Sequence, residues 1–426
     1  MNKKAERPII EGEISAMAFG GRGILKQNGK VYFVDDALPG DLVRAQVTKE
    51  KKSFGEAYSL EKLNENSQRR SSPCQYSNDC GGCQWLESKP NDQEQWKREF
   101  IEVAVKKFAK QDRKLSQFYR SPQELNYRNR VSLKGVSKQG KISLGYYKRR
   151  SHDLVRVDNC KIVESPINQA ISDISTKAVT NKDQISFDLD LQVLKDQTVI
   201  AQATFPPRVS KKEQAIIIKA INSVEIISNT ISGKKSQGNI YLYDQQNGID
   251  YYTYQGQFQQ VNIQGNHILR ELVSEIVDDL EPKVILDLFC GSGNLSLHLC
   301  KADRQIVGVE LNEASIATAK FNVEKNNLEG IEYHCTSSKA YLSSESAKSL
   351  KGELIIVDPP RRGLEGCVSD LIDMDAGHIL YISCDPNTLA RDIAQLLSAG
   401  YKLETLKGLD FFPNTYHVES VALLSK

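Results

Sequence analysis

Cys384 closes an apolar run, HILYISC, and is followed at once by Asp385, Pro386 and the helix formers NTLARD. An apolar run stopped by proline reads as a strand delivered to a turn, with a helix opened by Asn387 or Thr388 just beyond. A thiol beside a helix N-terminus is shifted toward thiolate, the nucleophilic form. LIIVDPPRRG repeats the geometry. Asp358 stands at the end of a second apolar run, and Pro359-Pro360 cannot continue a ladder, so the backbone turns outward. In α/β sheets that carboxyl edge is where ligands sit. A third run, VILDLFCGSGNLSLHL at Val284 to Leu299, predicts strand, tight turn and helix, with Gly291 and Gly293 allowing close approach to a bound molecule. About twenty residues on, QIVGVE ends in Glu310, whose carboxylate suits a ribose diol. No Gly-Lys-Ser/Thr follows, so this is not a P-loop.

A second group of side chains has metal chemistry. Cys74, Cys80 and Cys83 are spaced C-x5-C-x2-C in SSPCQYSNDCGGCQWL, and Gly81-Gly82 lets the chain turn tightly enough to aim three thiolates at one centre. Cys160, in the loop-like stretch RVDNCKIVESP, is the best fourth ligand, because Cys290, Cys300 and Cys335 belong to the later α/β region. Structural zinc favours two separated pairs, whereas a tight trio plus a remote cysteine suits a four-iron cluster. Zinc and unliganded reduced thiols are the alternatives. An odd count of nine cysteines argues against a disulfide framework.

These side chains need several supporting units. A chain of 426 residues favours two or three domains. Net charge is only +2, so a nucleic-acid partner must be read from local patches. No stretch has the apolar length of a signal peptide or a membrane span, and a cytoplasmic protein without membrane attachment is expected. From Ile10 to about Leu60, short apolar segments alternate with turn signals such as Asn28-Gly29 and Pro39-Gly40, predicting a small β-barrel. NDQEQWKREFIEVAVKKFAK, about 90–110, places Trp96, Phe100, Val103 and Val105 at helical spacing, and this helix is expected to pack on a neighbouring domain. Between 125 and 163, basic and aromatic residues interleave on predicted paired strands. Arg128, Arg130, Lys148, Arg149 and Arg150 are the candidate RNA contacts there. Residues 165–255 alternate strand and helix signals and complete an α+β domain.

Four stretches together carry a family resemblance: Asp287 to Asn294 (D-x-F-C-G-x-G-N), DPPRRG, SCDPNTLARD and FPNTYHVESV. The chain resembles the RNA 5-methyluridine methyltransferases, S-adenosylmethionine-dependent enzymes acting on ribosomal or transfer RNA, and specifically the iron–sulfur type. The resemblance implies three units. These are an OB-like TRAM barrel (1–62), a central α+β iron–sulfur and RNA-binding domain (63–255), and a Rossmann-like α/β methyltransferase domain (256–426). It also implies that Cys74, Cys80, Cys83 and Cys160 hold a [4Fe–4S] cluster. Gln260, Phe289, Gly291, Gly293, Asn294, Glu310, Thr336 and Asp358 would form the cofactor pocket, with Phe258 and Asn262 fitting the same pattern. Cys384 would add to carbon 6 of uracil, which makes carbon 5 nucleophilic, and Glu419 would remove the carbon-5 proton. His417 would position or pack. The family commonly shows Asn where this chain has Asp385, a carboxylate able to raise the thiol pKa or meet Arg391. A loop uridine in 23S rRNA, flipped from its stack, is the expected substrate, acted on by a monomer. The T-loop of tRNA, a non-catalytic RNA-binding factor and methylation of a non-RNA acceptor are the competing readings.

Overall fold

The computed structural model describes residues 7–426 apart from 182, 233–239, 255, 351 and 365, so 1–6 of the expected barrel segment lie outside the described residues. Strands β1 (Ile9–Ala18), β2 (Arg22–Gln27), β3 (Lys30–Asp35), β4 (Leu42–Glu50) and β5 (Phe54–Lys62) close into a barrel of order β1-β2-β3-β5-β4. The Asn28-Gly29 turn has φ of 51° and 73°, as a two-residue hairpin matched to strand twist requires. Ile14, Leu25, Val34, Val43 and Ala57 alternate with polar neighbours and fill the barrel.

Helix α1 (Pro90–Ala104) runs into one π-turn, Val105–Ala109, and then β6 (Gln117–Tyr119). One stripe of α1, Trp96 and Phe100, packs with Trp85 and with Met17 and Leu38 of the barrel segment. Ile101, Ala104 and Val105 enter the core of the C-terminal domain. Val103, expected on the buried stripe, is 61% exposed, because the stripe is divided between two neighbours and Val103 faces neither.

The central sheet has order β12-β11-β10-β7-β8-β9, built from β7 (Arg130–Lys138), β8 (Lys141–Tyr147), β9 (Leu154–Arg156), β10 (Ile185–Val193), β11 (Val199–Thr204) and β12 (Ile227–Ser232). Helices α2 (Ser165–Thr176) and α3 (Lys211–Asn222) bury Ile167, Ile171, Ile174, Ile217 and Ile221 against it. A hairpin of β13 (Ile240–Gln246) and β14 (Ile249–Tyr254) packs Tyr243 and Tyr251 onto the C-terminal domain beside Leu297 and Ile316.

That domain is an eight-stranded sheet of order β17-β16-β15-β18-β19-β21-β20-β6, with β15 (Val284–Leu288), β16 (Gln305–Glu310), β17 (Ile331–Cys335), β18 (Leu354–Val357), β19 (His378–Ser383), β20 (Lys402–Leu409) and β21 (Glu419–Ser425). Its inner strands, VILDL, LIIV and HILYIS, are continuously apolar because helices cover both faces. The helices are α4 (Ile263–Leu280), α5 (Glu313–Lys325), α6 (Ser338–Leu342), α7 (Glu345–Leu350), α8 (Val368–Asp373) and α9 (Pro386–Ser398). Strand β21 runs antiparallel between β19 and β20.

Two expectations need correction. The domain does not start at residue 256, since β6 pairs in parallel with β20 and brings residues 90–119 into this fold. The glycine turn after β15 leads to turns and a single 3-10 turn, Leu297–Leu299, rather than to a helix. Buried Arg270 of α4 donates from Nε to the Asn294 carbonyl at 3.2 Å, taking an acceptor that a helix would need for its own ladder.

Candidate active site

Strands β15, β16, β18 and β19 run parallel and end at one edge, where Asp287, Glu310, Asp358 and Cys384 are delivered together. Glu419 arrives from the opposite direction at the start of β21. Ser383 pairs with Ser420, so the next step of the same register sets Cys384 beside Glu419. The loop before Glu419 is held from below by Asn414, whose φ is 65° and whose side chain is fully buried. Its Oδ1 accepts from Arg70 at 3.0 Å and Gln93 at 3.2 Å, and its Nδ2 donates to Glu124 O at 3.0 Å. Its carbonyl accepts from Gln84 N and Trp85 N, which directly follow Cys83 in sequence. Nearby, buried Lys97 donates to Asp410 at 2.6 Å and to the Phe412 carbonyl.

Burial and nearby carboxylates set the charge states. Burial raises Asp358 to about 7 and, with Asp358 beside it, lifts Glu419 well above the usual carboxylate range. Burial, Glu419 and Asp358 together push the Cys384 thiol up to about 12, against the expectation of a lowered value. The helix end does not offset this. Asp385 is the N-cap of α9, accepting from Asn387 N at 2.9 Å and Thr388 N at 3.2 Å, so the helix N–H groups are already satisfied by a carboxylate that opposes a second negative charge. Asp385 does not meet Arg391, which donates to Arg362 O. Arg361, given no role from sequence, offsets part of the negative charge at Cys384 and Glu419. Burial and the cations Arg361, Lys97 and Arg128 hold His417 down at about 4, and its ring stacks on Tyr416 at 4.2 Å. A neutral, stacked imidazole matches a packing role.

The β15–β16 corner has the properties of a nucleoside-binding pocket. Glu310 Oε1 accepts from Asn312 N at 2.8 Å and Oε2 from Gly291 N at 3.3 Å, fixing the carboxylate at the strand end. Gly291 has φ of 56° and open space where a Cβ would stand, and Phe289 also lies in the left-handed region at φ 63°. Thr336 N is bonded to Glu310 O, at the same edge. The Gln260 side chain makes no hydrogen bond among the described residues, leaving its amide available to a ligand. Asn262 and Asn294 serve the framework instead. Asn262 caps α4 and donates to Phe411 O at 2.9 Å, while Asn294 exchanges hydrogen bonds with Asn266 and accepts from Arg270. Sequence reasoning missed Asp287. Its carboxylate is fully buried, and burial raises it to about 7, with the Ser296 hydroxyl acting in the other direction. A left-handed glycine turn beside a fixed strand-end carboxylate is the arrangement that a nucleoside ligand requires.

Residues 90–426 match the family described as tRNA (Uracil-5-)-methyltransferase. The chain belongs to this family. It is an S-adenosylmethionine-dependent RNA uracil-C5 methyltransferase. The 23S rRNA (uracil(1939)-C(5))-methyltransferase RlmD of Shewanella amazonensis is 30% identical over 414 residues, covering 95% of this chain and 92% of the relative. The protein of the same name from Alcanivorax borkumensis is 26% identical, covering 97% and 95%. The structure of Pyrococcus abyssi tRNA (uracil-54, C5)-methyltransferase in complex with S-adenosyl-L-homocysteine shares the fold, with a TM-score of 0.72 at 22% identity over 97% of this chain and 100% of that one.

In this methyltransferase Cys74, Cys80, Cys83 and Cys160 line one cavity of about 200 Å³, walled by Leu86, Val131, Val157 and Ile162. Burial raises the Cys80, Cys83 and Cys160 thiols, and the neighbouring cysteines raise Cys80 and Cys83 further. Four thiolates in such a place need cationic compensation. Among the described residues, no three His, Cys, Asp or Glu side chains converge on a single-ion site. The expected basic surface is divided. Arg149 donates to Cys80 O at 3.2 Å and Cys83 O at 2.8 Å, clamping the cysteine loop, and Arg150 pairs with Asp35 of the barrel. Arg130 donates to Gln257 O and Arg128 borders the cysteine cavity, while Lys148 pairs with Asp79 at 2.8 Å on the surface. These cations are largely occupied by the protein itself. Among the described residues no helix is long and apolar enough to cross a membrane.

Proposed function

We propose that this methyltransferase acts on a uridine of 23S ribosomal RNA, with Cys384 as nucleophile and Glu419 as base. The observation that carries the reading is the juxtaposition of Cys384 and Glu419 across β19 and β21, beside Asp358 at the cofactor edge. The Cys384 thiolate adds to uracil C6, and C5 gains the electron density to form a carbon–carbon bond. S-adenosylmethionine would supply the methyl group as a sulfonium, its S–CH3 bond breaking to leave the neutral thioether S-adenosylhomocysteine. The Glu419 carboxylate then accepts the C5 proton, the Cys384 Sγ–C6 bond breaks, and 5-methyluridine leaves. Asp358, partly protonated near neutral pH, sits between the two reacting groups and the pocket.

A [4Fe–4S] cluster held by Cys74, Cys80, Cys83 and Cys160 belongs to the same reading. One cavity lined by four thiols, three from a tight trio and one remote, suits a polynuclear centre better than zinc. Its role is to fix the loop between Cys74 and Cys83, since methyl transfer moves no net electron. Ribosomal RNA is favoured over transfer RNA by the two relatives named above, both 23S rRNA (uracil(1939)-C(5))-methyltransferases, at 30% and 26% identity.

Anaerobically purified protein incubated with labelled S-adenosylmethionine and unmodified total RNA tests this. Label recovered as 5-methyluridine in the large ribosomal RNA is the expected result. Label in transfer RNA would transfer the substrate assignment, and its absence from both pools would remove the RNA reading.

A further inference from the structure

With four of the five predicted RNA cations engaged in holding the barrel, the cysteine loop or the cleft wall, the unpaired positive charge of the catalytic domain lies elsewhere. Arg361, Arg362 and Arg391 converge on one open groove of about 610 Å³ with Thr388, Ser369 and Gln395. All three arginines are exposed. Arg361 and Arg362 make no side-chain hydrogen bond or ion pair among the described residues. Arg391 donates once, to Arg362 O at 3.1 Å, which draws the two residues together. Among the described residues the one acidic lining residue, Asp392, offsets Arg391 alone and leaves Arg361 and Arg362 without a carboxylate partner. Its Oδ2 is turned inward to Leu364 N at 2.8 Å and Tyr381 Oη at 2.7 Å, and Arg391 Nε stands 3.8 Å from its other oxygen.

The groove is joined to the reaction site by its own backbone. Arg361 and Arg362 follow Asp358 by three and four residues, and Thr388 follows Cys384 by four in the first turn of α9. Gly363, at φ 75°, turns the chain between them, and a Cβ there would meet Asp392 Oδ2 at 2.4 Å, so the wall is tightly fitted. Unpaired guanidinium groups flanked by hydroxyl and amide side chains recognise phosphate oxygens in a bidentate manner. A chain whose uridine enters between Cys384 and Glu419 must carry its neighbouring phosphates out over one wall of that site.

We propose that the Arg361–Arg362–Arg391 groove binds the RNA backbone beside the target uridine, with Arg362 and Arg391 each contacting a phosphate of a single-stranded segment. This rests on the RNA reading above. Arg361 faces the reacting groups as well and is left untouched in the test.

The experiment compares wild type, Arg362→Gln/Arg391→Gln and Arg362→Lys/Arg391→Lys in full-length protein, using the RNA pool that wild type methylates. RNA affinity is measured from 50 to 300 mM KCl, with turnover at saturating RNA. The glutamine variant is expected to bind RNA about tenfold more weakly at low salt, and to lower the slope of log affinity against log salt by about 1.4, or about 0.7 for each lost single-strand phosphate contact. Turnover at saturating RNA and S-adenosylmethionine binding stay near wild type, and the lysine variant recovers most of the salt slope. Unchanged affinity and slope in the glutamine variant, with wild type active on RNA, overturn the groove and leave the function standing. Wild type that forms no 5-methyluridine removes the function itself, a result read from a different assay.

Discussion

At the level of single residues, the catalytic edge gathers groups held away from their ordinary charge states. Cys384 is a half-buried thiol among carboxylates, so its thiolate is scarce in the free protein, and the mechanism proposed above needs a residue that takes the C5 proton after methyl transfer. Cys384→Ala is expected to abolish methyl transfer while S-adenosylmethionine binding, followed by calorimetry, stays intact. Glu419→Gln is expected to stop one step later, leaving a methylated protein–RNA adduct that survives denaturing electrophoresis; product release at the wild-type rate would refute its role as base. Asp287 gives a pH signature. Its folded pKa of about 7 lies above the ordinary 3.8, so the folded state keeps a proton that the unfolded chain has lost. The stability from this proton is complete below pH 4 and disappears as pH rises through 7. In protein without cofactor, Asp287→Asn should therefore lose about 2.5 kcal/mol less than wild type between pH 5 and 7.5, read from denaturant midpoints. Parallel pH profiles would show that its burial is relieved by water.

At the level of elements, the strand ends were legible in the sequence and the long-range contacts were not. LIIVDPP and HILYISCDP announce strands cut off by proline, and that local chemistry was enough to put Asp358 and Cys384 at one edge. The shortened helix after Gly293, the role of Asp385 as a cap and the use of Arg149 as a clamp depend on partners far away in the chain. Such contacts leave no periodicity to read. Asn414 is the strongest case, for it ties the cysteine loop, α1 and the loop before Glu419 through residues more than 280 positions apart. Asn414→Gly preserves the left-handed backbone and its carbonyl bonds but removes the side-chain bonds. It is expected to cost about 3 kcal/mol of stability, at roughly 1 kcal/mol for each bond. Turnover should fall between about 10- and 100-fold, with adduct accumulating as in Glu419→Gln. A fall in adduct and product together would limit Asn414 to a folding role. Under the proposed [4Fe–4S] assignment Cys160→Ser is expected to lose the iron that wild type carries, measured by metal analysis and visible absorbance; unchanged iron content would reassign the fourth ligand, and wild type without iron would remove the cluster.

At the level of the whole molecule, the three units share cores rather than touching at their surfaces. The catalytic sheet is completed by β6 and roofed by α1, and Ile101, Ala104, Val105, Ala109 and Leu115 belong to its core. Burial of each of the larger aliphatic side chains is worth about 1.5–3 kcal/mol. A fragment of residues 256–426 is therefore expected to be insoluble on its own and to become soluble when residues 86–122 are co-expressed with it. A soluble, cooperatively melting 256–426 fragment would contradict this.

That pairing also sets a timetable. Gln117 lies against Lys407, so the strand made early on the ribosome meets its partner only after 290 further residues have been added. At about 5–20 residues per second the interval is roughly 15–60 seconds. Throughout it Ile101, Ala104 and Val105 of α1 have no core to enter, while Trp96 and Phe100 can already pack on Trp85 and the barrel segment. The barrel, complete by Lys62, can close at once, whereas the catalytic domain folds only after β20 and β21 have been made, and a nascent chain stalled before β20 offers Ile101, Val105 and Leu115 to chaperones.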